Sequence, residues 1–334
     1  MSNVWKKLFA VCSGAFALSG TVFYLISLYY YPKQVDNFNI TEFTLKFLVA
    51  FFGVFAVFGF VCIYQFFKNK KGKKTAIGDL MDIFTKYKFL LKQLVSKEFK
   101  LKYRRSYLGI AWSLINPLLM MIVISAVFSF VFRFNIEHFP AYLIVGQATF
   151  NFFSEATQLS LISIVGSGQL IKKVYMPKCI FPISRVISSF VNSLITFIPV
   201  TLVLIYYGIY PALTNLYLPV YFFYFLMFTM GISLILATLD VFMRDIQHLY
   251  GVFLTALSYA TPIFYPVDSL SPTIQFVMNF NPLYHYLKYL RNILFYHISP
   301  TLTDNVICFS LGAVALCFGM WLFVKKQNKF ILYI

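Results

Sequence analysis

Acidic side chains are scarce in this sequence. Eleven Asp and Glu stand among 334 residues, and charged residues of both signs make up only 12%. A soluble domain averages about 25% charged residues. At 60% hydrophobic, the chain has too little polar surface to cover a water-exposed globule and too much apolar surface to stay disordered. Cysteine is also sparse: Cys12, Cys62, Cys179, Cys308 and Cys317 form no Cys-x-x-Cys pair, and each lies in or beside an apolar run. That spacing argues against a disulfide framework or a zinc site and leaves small buried hydrophobes. The four histidines (His138, His248, His285, His297) are scattered; Asp245 and His248 stand at i,i+3, a poor ligand set on their own. No Gly-x-x-x-x-Gly-Lys-Ser/Thr phosphate loop occurs, and the Gly166 to Lys172 stretch has the wrong spacing. ATP hydrolysis is therefore not expected of this chain, and no cofactor or metal is expected on it.

What is abundant is long apolar sequence. A helix needs about 20 apolar residues to cross the roughly 30 Å hydrocarbon core. Eight segments qualify: Phe9–Tyr31, Leu48–Phe67, and stretches at about 107–132, 140–164, 180–208, 217–239, 250–267 and 305–324. The reading is an all-α polytopic membrane protein. The first segment exceeds the h-region of a signal peptide and lacks a clean small-x-small site, so it reads as an uncleaved anchor. Basic loops stay in the cytoplasm. Lys6 and Lys7, the 68–105 stretch, Lys172, Lys173 and Lys178, Arg244, and Lys325, Lys326 and Lys329 all fall on one side if every segment crosses once. Both termini are then cytoplasmic.

The excess of 28 Lys and Arg over the acids gives a net charge of +17. Residues 68–105 hold 13 of those basic residues against 3 acids. This is an orientation and lipid-headgroup signal rather than a nucleic-acid footprint. Within it, Leu80, Phe84, Tyr87, Leu91, Leu94 and Phe99 recur at helical spacing, opposite Lys86, Gln93, Lys97, Lys100 and Arg104. The pattern predicts an amphipathic helix lying in the membrane interface. The run Lys68 to Lys74 divides the chain into a two-span unit (1–75), the amphipathic helix (76–106) and a six-span core (107–334). The segment at about 266–304 is too aromatic for a solvated loop. Broken by Pro266, Pro272, Pro282 and Pro300, it predicts short helices dipping back into the outer leaflet, their irregular backbone buried by other spans.

Ionisable residues inside spans are functional candidates by default. Glu155 is the clearest; pairing with Arg185, contact with polar neighbours such as Asn151, and a transport role all remain open. Asp240, Arg244 and Asp245 at a span's end suggest an i,i+4 ion pair from Asp240 to Arg244. The aromatic crowd at Tyr217, Tyr221, Phe222, Phe223, Tyr224 and Phe225 is read as belt or core packing, with sugar stacking as the alternative.

Five ordered blocks resemble the permease subunit of type-2 ABC exporters of polysaccharide, O-antigen or teichoic-acid type. They are Phe99 to Pro117; Asn151 to Glu155; Gly168 to Pro177 with Phe181 to Ser189; Asp240 to Leu249 through Thr261 to Pro266; and Asn281 to Tyr284. The resemblance implies a transport subunit of the bacterial inner membrane, a homodimer bound to two ATPase subunits that hold ATP and Mg. It implies an undecaprenyl-linked glycan as substrate, and Tyr103, Arg104 and Arg105 as candidates to receive its diphosphate. It also makes Gly168, Gln169, Leu170, Ile171, Lys172 and Lys173 the coupling element against the ATPase. Typical members have six spans, so the two N-terminal ones are a departure. The alternatives are a permease for drugs or small lipids and, in another class, a membrane glycosyl- or acyltransferase.

Overall fold

The computed structural model describes residues 86–104, 106–131, 137–174, 176–267 and 270–334. The first two expected spans, the lysine run, the start of the expected amphipathic helix and Arg105 lie outside the described residues. Every regular element among the described residues is helical.

The basic amphipathic stretch forms α1 (Lys88–Tyr103). Leu91 is buried, while Lys88, Lys92, Lys97 and Lys100 are exposed, as the periodicity requires. After a turn in which Ser106 Oγ accepts from the Gly109 amide (3.2 Å), α2 runs over Trp112–Val131. Then follow α3 (Phe139–Leu161), the short α4 (Gly168–Lys173) and α5 (Ile180–Tyr206). The second half contains α6 (Leu218–Phe242), α7 (Ile246–Ala260), α8 (Pro272–Met278) and α9 (Pro282–Leu294). It closes with α10 (Leu302–Lys326) and the one-turn α11 (Phe330–Tyr333). Prolines open α3, α6, α8 and α9, where the missing N–H costs no intrahelical bond. A capping box between Thr301 and Asp304 starts α10.

Among the described residues, three segments are long and apolar enough to cross a membrane: Ile180–Tyr206, Leu213–Phe242 and Leu302–Tyr333, with Trp112–Phe128 a shorter apolar helix. Helix α3 has 23 residues and is the most polar of the long helices, carrying Gln147, Asn151, Glu155 and Gln158. It tolerates them because it is interior: Ala141 to Thr149 is buried without a break. The expected span at 250–267 is shorter than the sequence suggests. Helix α7 has 15 residues, about 22 Å. Pro262 ends it by forcing Thr261 into extended backbone (φ −99°, ψ 133°).

The tightest packing joins α6 and α10. A Cβ on Gly231 would fall 2.3 Å from the Ala315 carbonyl carbon, and one on Gly319 would fall 2.4 Å from the Gly231 carbonyl oxygen. Only glycine lets the two backbones approach so closely. Helix α9 lies over this pair with Tyr286 and Tyr289 buried. Tyr286 donates to the Cys308 carbonyl (2.7 Å) and Tyr289 to Asn305 Oδ1 (2.8 Å). Of the aromatic crowd, Tyr217, Tyr221, Tyr224 and Phe225 are buried. Tyr221, Tyr224 and Phe225 pack on α9 rings, so these rings are core.

Candidate functional site

Two clusters gather most of the residues singled out by the sequence, and a third holds one it passed over. The first lies where α1 meets the bundle. Lys102 Nζ donates to Glu155 Oε1 at 2.7 Å, and Asn192 Nδ2 donates to Glu155 Oε2 at 3.1 Å. Ser113 Oγ in turn donates to Asn192 Oδ1 at 2.9 Å. The chain of contacts thus joins α1, α3, α5 and α2. Arg185 forms its ion pair with Glu98 of α1. The Glu155–Arg185 pairing left open by the sequence is therefore not the one formed here, and Asn151 does not hold Glu155 either. Glu155 and Arg185 thus each find a counter-charge on α1. Burial of an ion is tolerated when it is paired and its remaining lone pairs are bonded. Arg104 caps the helix in extended backbone and is exposed. Lys100 and Lys102 in the last turn suit the negative end of the helix dipole.

The second cluster is built on α4. Gly168 and Ile171 are buried, whereas Gln169, Leu170, Lys172 and Lys173 are exposed. Gly168 is backed by Ile334, whose Cγ2 would lie 2.2 Å from an added Cβ. Lys172 Nζ donates to the Ile334 carbonyl (2.9 Å), and Lys178 Nζ donates to the Gln327 carbonyl (2.6 Å). Burial lowers the Lys178 ammonium from its ordinary range, and that ammonium also lies 5.8 Å from the Phe330 ring centre. Phe330 and Tyr333 stack edgewise on Phe242 at the end of α6. One face of α4 is thus seated on Ile334, with Lys178 beyond it holding Gln327, and the other face is open.

At that end of α6 Asp240 and Arg244 do not make the expected close ion pair, although the Arg244 charge still acts on Asp240 from a distance. Asp240 is fully buried and accepts from Gln247 Nε2 at 2.8 Å. Helix α6 stops at Phe242, so Arg244 leaves the face that i,i+4 spacing presumes. Arg244 and Asp245 are both exposed.

The third cluster centres on Arg291. It is 5% exposed. Its Nη1 donates to the Tyr142 hydroxyl and the Pro262 carbonyl, both at 2.7 Å, and its Nη2 donates to the Ile263 carbonyl at 3.0 Å. The guanidinium carbon lies 3.5 Å from the Tyr142 ring centre. Pro262 frees these carbonyls by ending α7, and Arg291 satisfies them. Irregular backbone at membrane depth requires such internal partners.

The ABC-2 type transporter profile matches residues 90–295, which contain all three clusters apart from the 327–334 contacts. This chain belongs to the ABC-2 type transporter family. It is 30% identical over 247 residues to an O-antigen export system permease protein RfbA of Myxococcus xanthus, covering 73% of this chain and 95% of that one. Two proteins of the same name from Klebsiella pneumoniae are 29% identical over 245 residues and 30% identical over 243. Each alignment covers 72% of this chain and 93% of the relative. As an ABC-2 transporter the chain is a multi-pass membrane permease, a transport subunit rather than an enzyme.

Proposed function

We propose that this ABC-2 permease exports a lipid-linked cell-envelope polysaccharide or polyol-phosphate polymer across the bacterial inner membrane. The observation that carries the reading is the near-complete coverage of O-antigen export permeases by this chain. In this reading the chain has eight spans with both termini cytoplasmic, and it works as a homodimer on two ATPase subunits. ATP and Mg belong to those partners. The open face of α4, with Gln169, Leu170 and Lys173, docks on the ATPase. Tyr103, Arg104 and Arg105, the last residues of the basic stretch in the sequence, receive the diphosphate of an undecaprenyl-type carrier; guanidinium groups suit phosphate oxygens. Closure of the ATPase on ATP favours one of two permease states, as a switch of this kind requires.

Deletion of the gene should remove surface polymer and leave lipid-linked precursor on the inner side, and the wild-type chain should reverse both effects. Normal surface polymer in the deletion strain sinks the reading. Within it, Arg104→Ala with Arg105→Ala should abolish most export while membrane insertion and ATPase assembly stay normal. Unchanged export would return those arginines to plain lipid anchoring.

A further inference from the structure

Helices α3 and α5 each carry one charged residue, Glu155 and Arg185, and α1 carries one acid, Glu98. These charges of α3 and α5 could neutralise each other, yet both turn to α1. Arg185 takes Glu98, and Glu155 takes Lys102. Glu98 and Lys102 are four residues apart, one helical turn, so α1 is held by two adjacent pairs of opposite polarity. Sliding α1 by one turn would oppose like charges. Pulling it away would break both pairs, at the greater cost for Arg185 and Glu98, the less exposed of the two.

The same four residues possess a second complete pairing. Glu98 and Lys102 stand at i,i+4 with the acid N-terminal, the favourable arrangement within a helix. Glu155 already reaches α5 through Asn192, and Arg185 lies two turns, about 10 Å, earlier on that helix. We infer that Glu98, Lys102, Glu155 and Arg185 form an exchangeable latch. In this conformation they tie α1 to α3 and α5. When α1 moves off, Glu98 closes on Lys102 and Arg185 on Glu155, and no charge is left alone in either state. Ser113 holds Asn192, so the change at Glu155 also reaches α2. These are positioning residues. The transport readout of the latch rests on the proposed export function; the latch itself does not.

Charge inversion separates a latch from a static clip. The two-residue swap Lys102→Glu with Glu155→Lys keeps both cross-pairs opposite in sign but makes both alternative pairs like-charged. Adding Glu98→Lys and Arg185→Glu restores every pairing with all signs inverted. The latch predicts that the two-residue swap inserts normally but loses about 90% of export, equivalent to a tenfold bias against the released state. The four-residue swap should regain most of it. Normal export from the two-residue swap overturns the latch. So does a four-residue swap that purifies like wild type and exports no better than the two-residue one.

A second measurement needs no substrate. Spin labels at Lys97→Cys on α1 and Val191→Cys on α5, in the full chain without other cysteines and with its ATPase bound, report their separation. Across nucleotide-free and ATP-bound samples, native charges should give two distance populations and the two-residue swap only one. A single population with native charges overturns the proposal. If the wild-type chain restores no surface polymer, the proposed export function fails, and this measurement alone decides the latch.

Discussion

Replacing Gly319 by alanine places a methyl group where α10 crosses α6. Its Cβ would fall 2.4 Å from the Gly231 carbonyl oxygen, with Gly231 carbonyl carbon and Cα at 3.1 and 3.2 Å. Ordinary contact begins near 3.4 Å, so the two helices must part by about 1 Å, since backbone atoms have no rotamer to turn aside. A gap of that size forfeits a quarter to a half of the dispersion energy of each contact it opens. The expected loss is about 2–3 kcal/mol, the upper part of the range for overpacked cores. For detergent-solubilised protein followed by fluorescence-detected gel filtration after heating, this corresponds to a midpoint about 5 °C lower. Gly251→Ala, on α7 with nothing within 4 Å of its Cβ, is the control. It should be neutral or stabilise slightly, because alanine is the better helix former by about 1 kcal/mol. The double variant Gly231→Ala with Gly319→Ala should lose less than the sum of the two singles, since both open the same crossing. A midpoint for Gly319→Ala equal to wild type, or an equal fall for Gly251→Ala, would refute the reasoning.

Arg291→Lys should lower the same midpoint through a loss of about 2–3 kcal/mol, because one ammonium cannot serve the carbonyls of Pro262 and Ile263 and the Tyr142 face together; an unchanged midpoint would deny the guanidinium its pinning role. Substituting Gln169, Leu170 and Lys173 together by alanine should leave the midpoint intact, because those side chains are exposed, but raise ATP consumed per polymer exported. Unaltered coupling counts against docking at α4. His297 sits beyond α9, and burial lowers its pKa from the ordinary value. With the folded pKa below the unfolded one, the unfolded chain binds more protons as pH falls through about 6.5, so stability declines on acidification there. His297→Asn, which tolerates the positive φ of 55°, should flatten that dependence of the thermal midpoint between pH 7.5 and 5.5; a slope equal to that of wild type would place its origin elsewhere.

Hydropathy alone carries the placement of α2, α3, α5, α6 and α10, and helical periodicity carries α1, because the bilayer and its interface impose those patterns directly. What escaped were the partners. An i,i+4 rule presumes an unbroken helix, and α6 ends between Asp240 and Arg244, so Gln247 from the next helix takes the place of the arginine. Glu98 is one of the three acids of the 68–105 stretch and the only one on α1. Its meaning depends on Arg185, 87 positions away, and no local spacing reports that.

Arg291 shows how such a partner could still be inferred. Pro262 removes an amide donor and turns the chain out of α7 short of a full crossing, leaving carbonyls that hydrocarbon cannot solvate. Some donor must come to them. In the segment from Pro266 to Pro300, Arg291 follows Leu283, Tyr286, Leu287 and Leu290 on the apolar face of α9, all of them buried. Lys288, outside that face, is exposed. A cation placed in register with an apolar stripe, rather than opposite it, is therefore a donor seeking buried acceptors, and a helix-ending proline at membrane depth is where those acceptors arise.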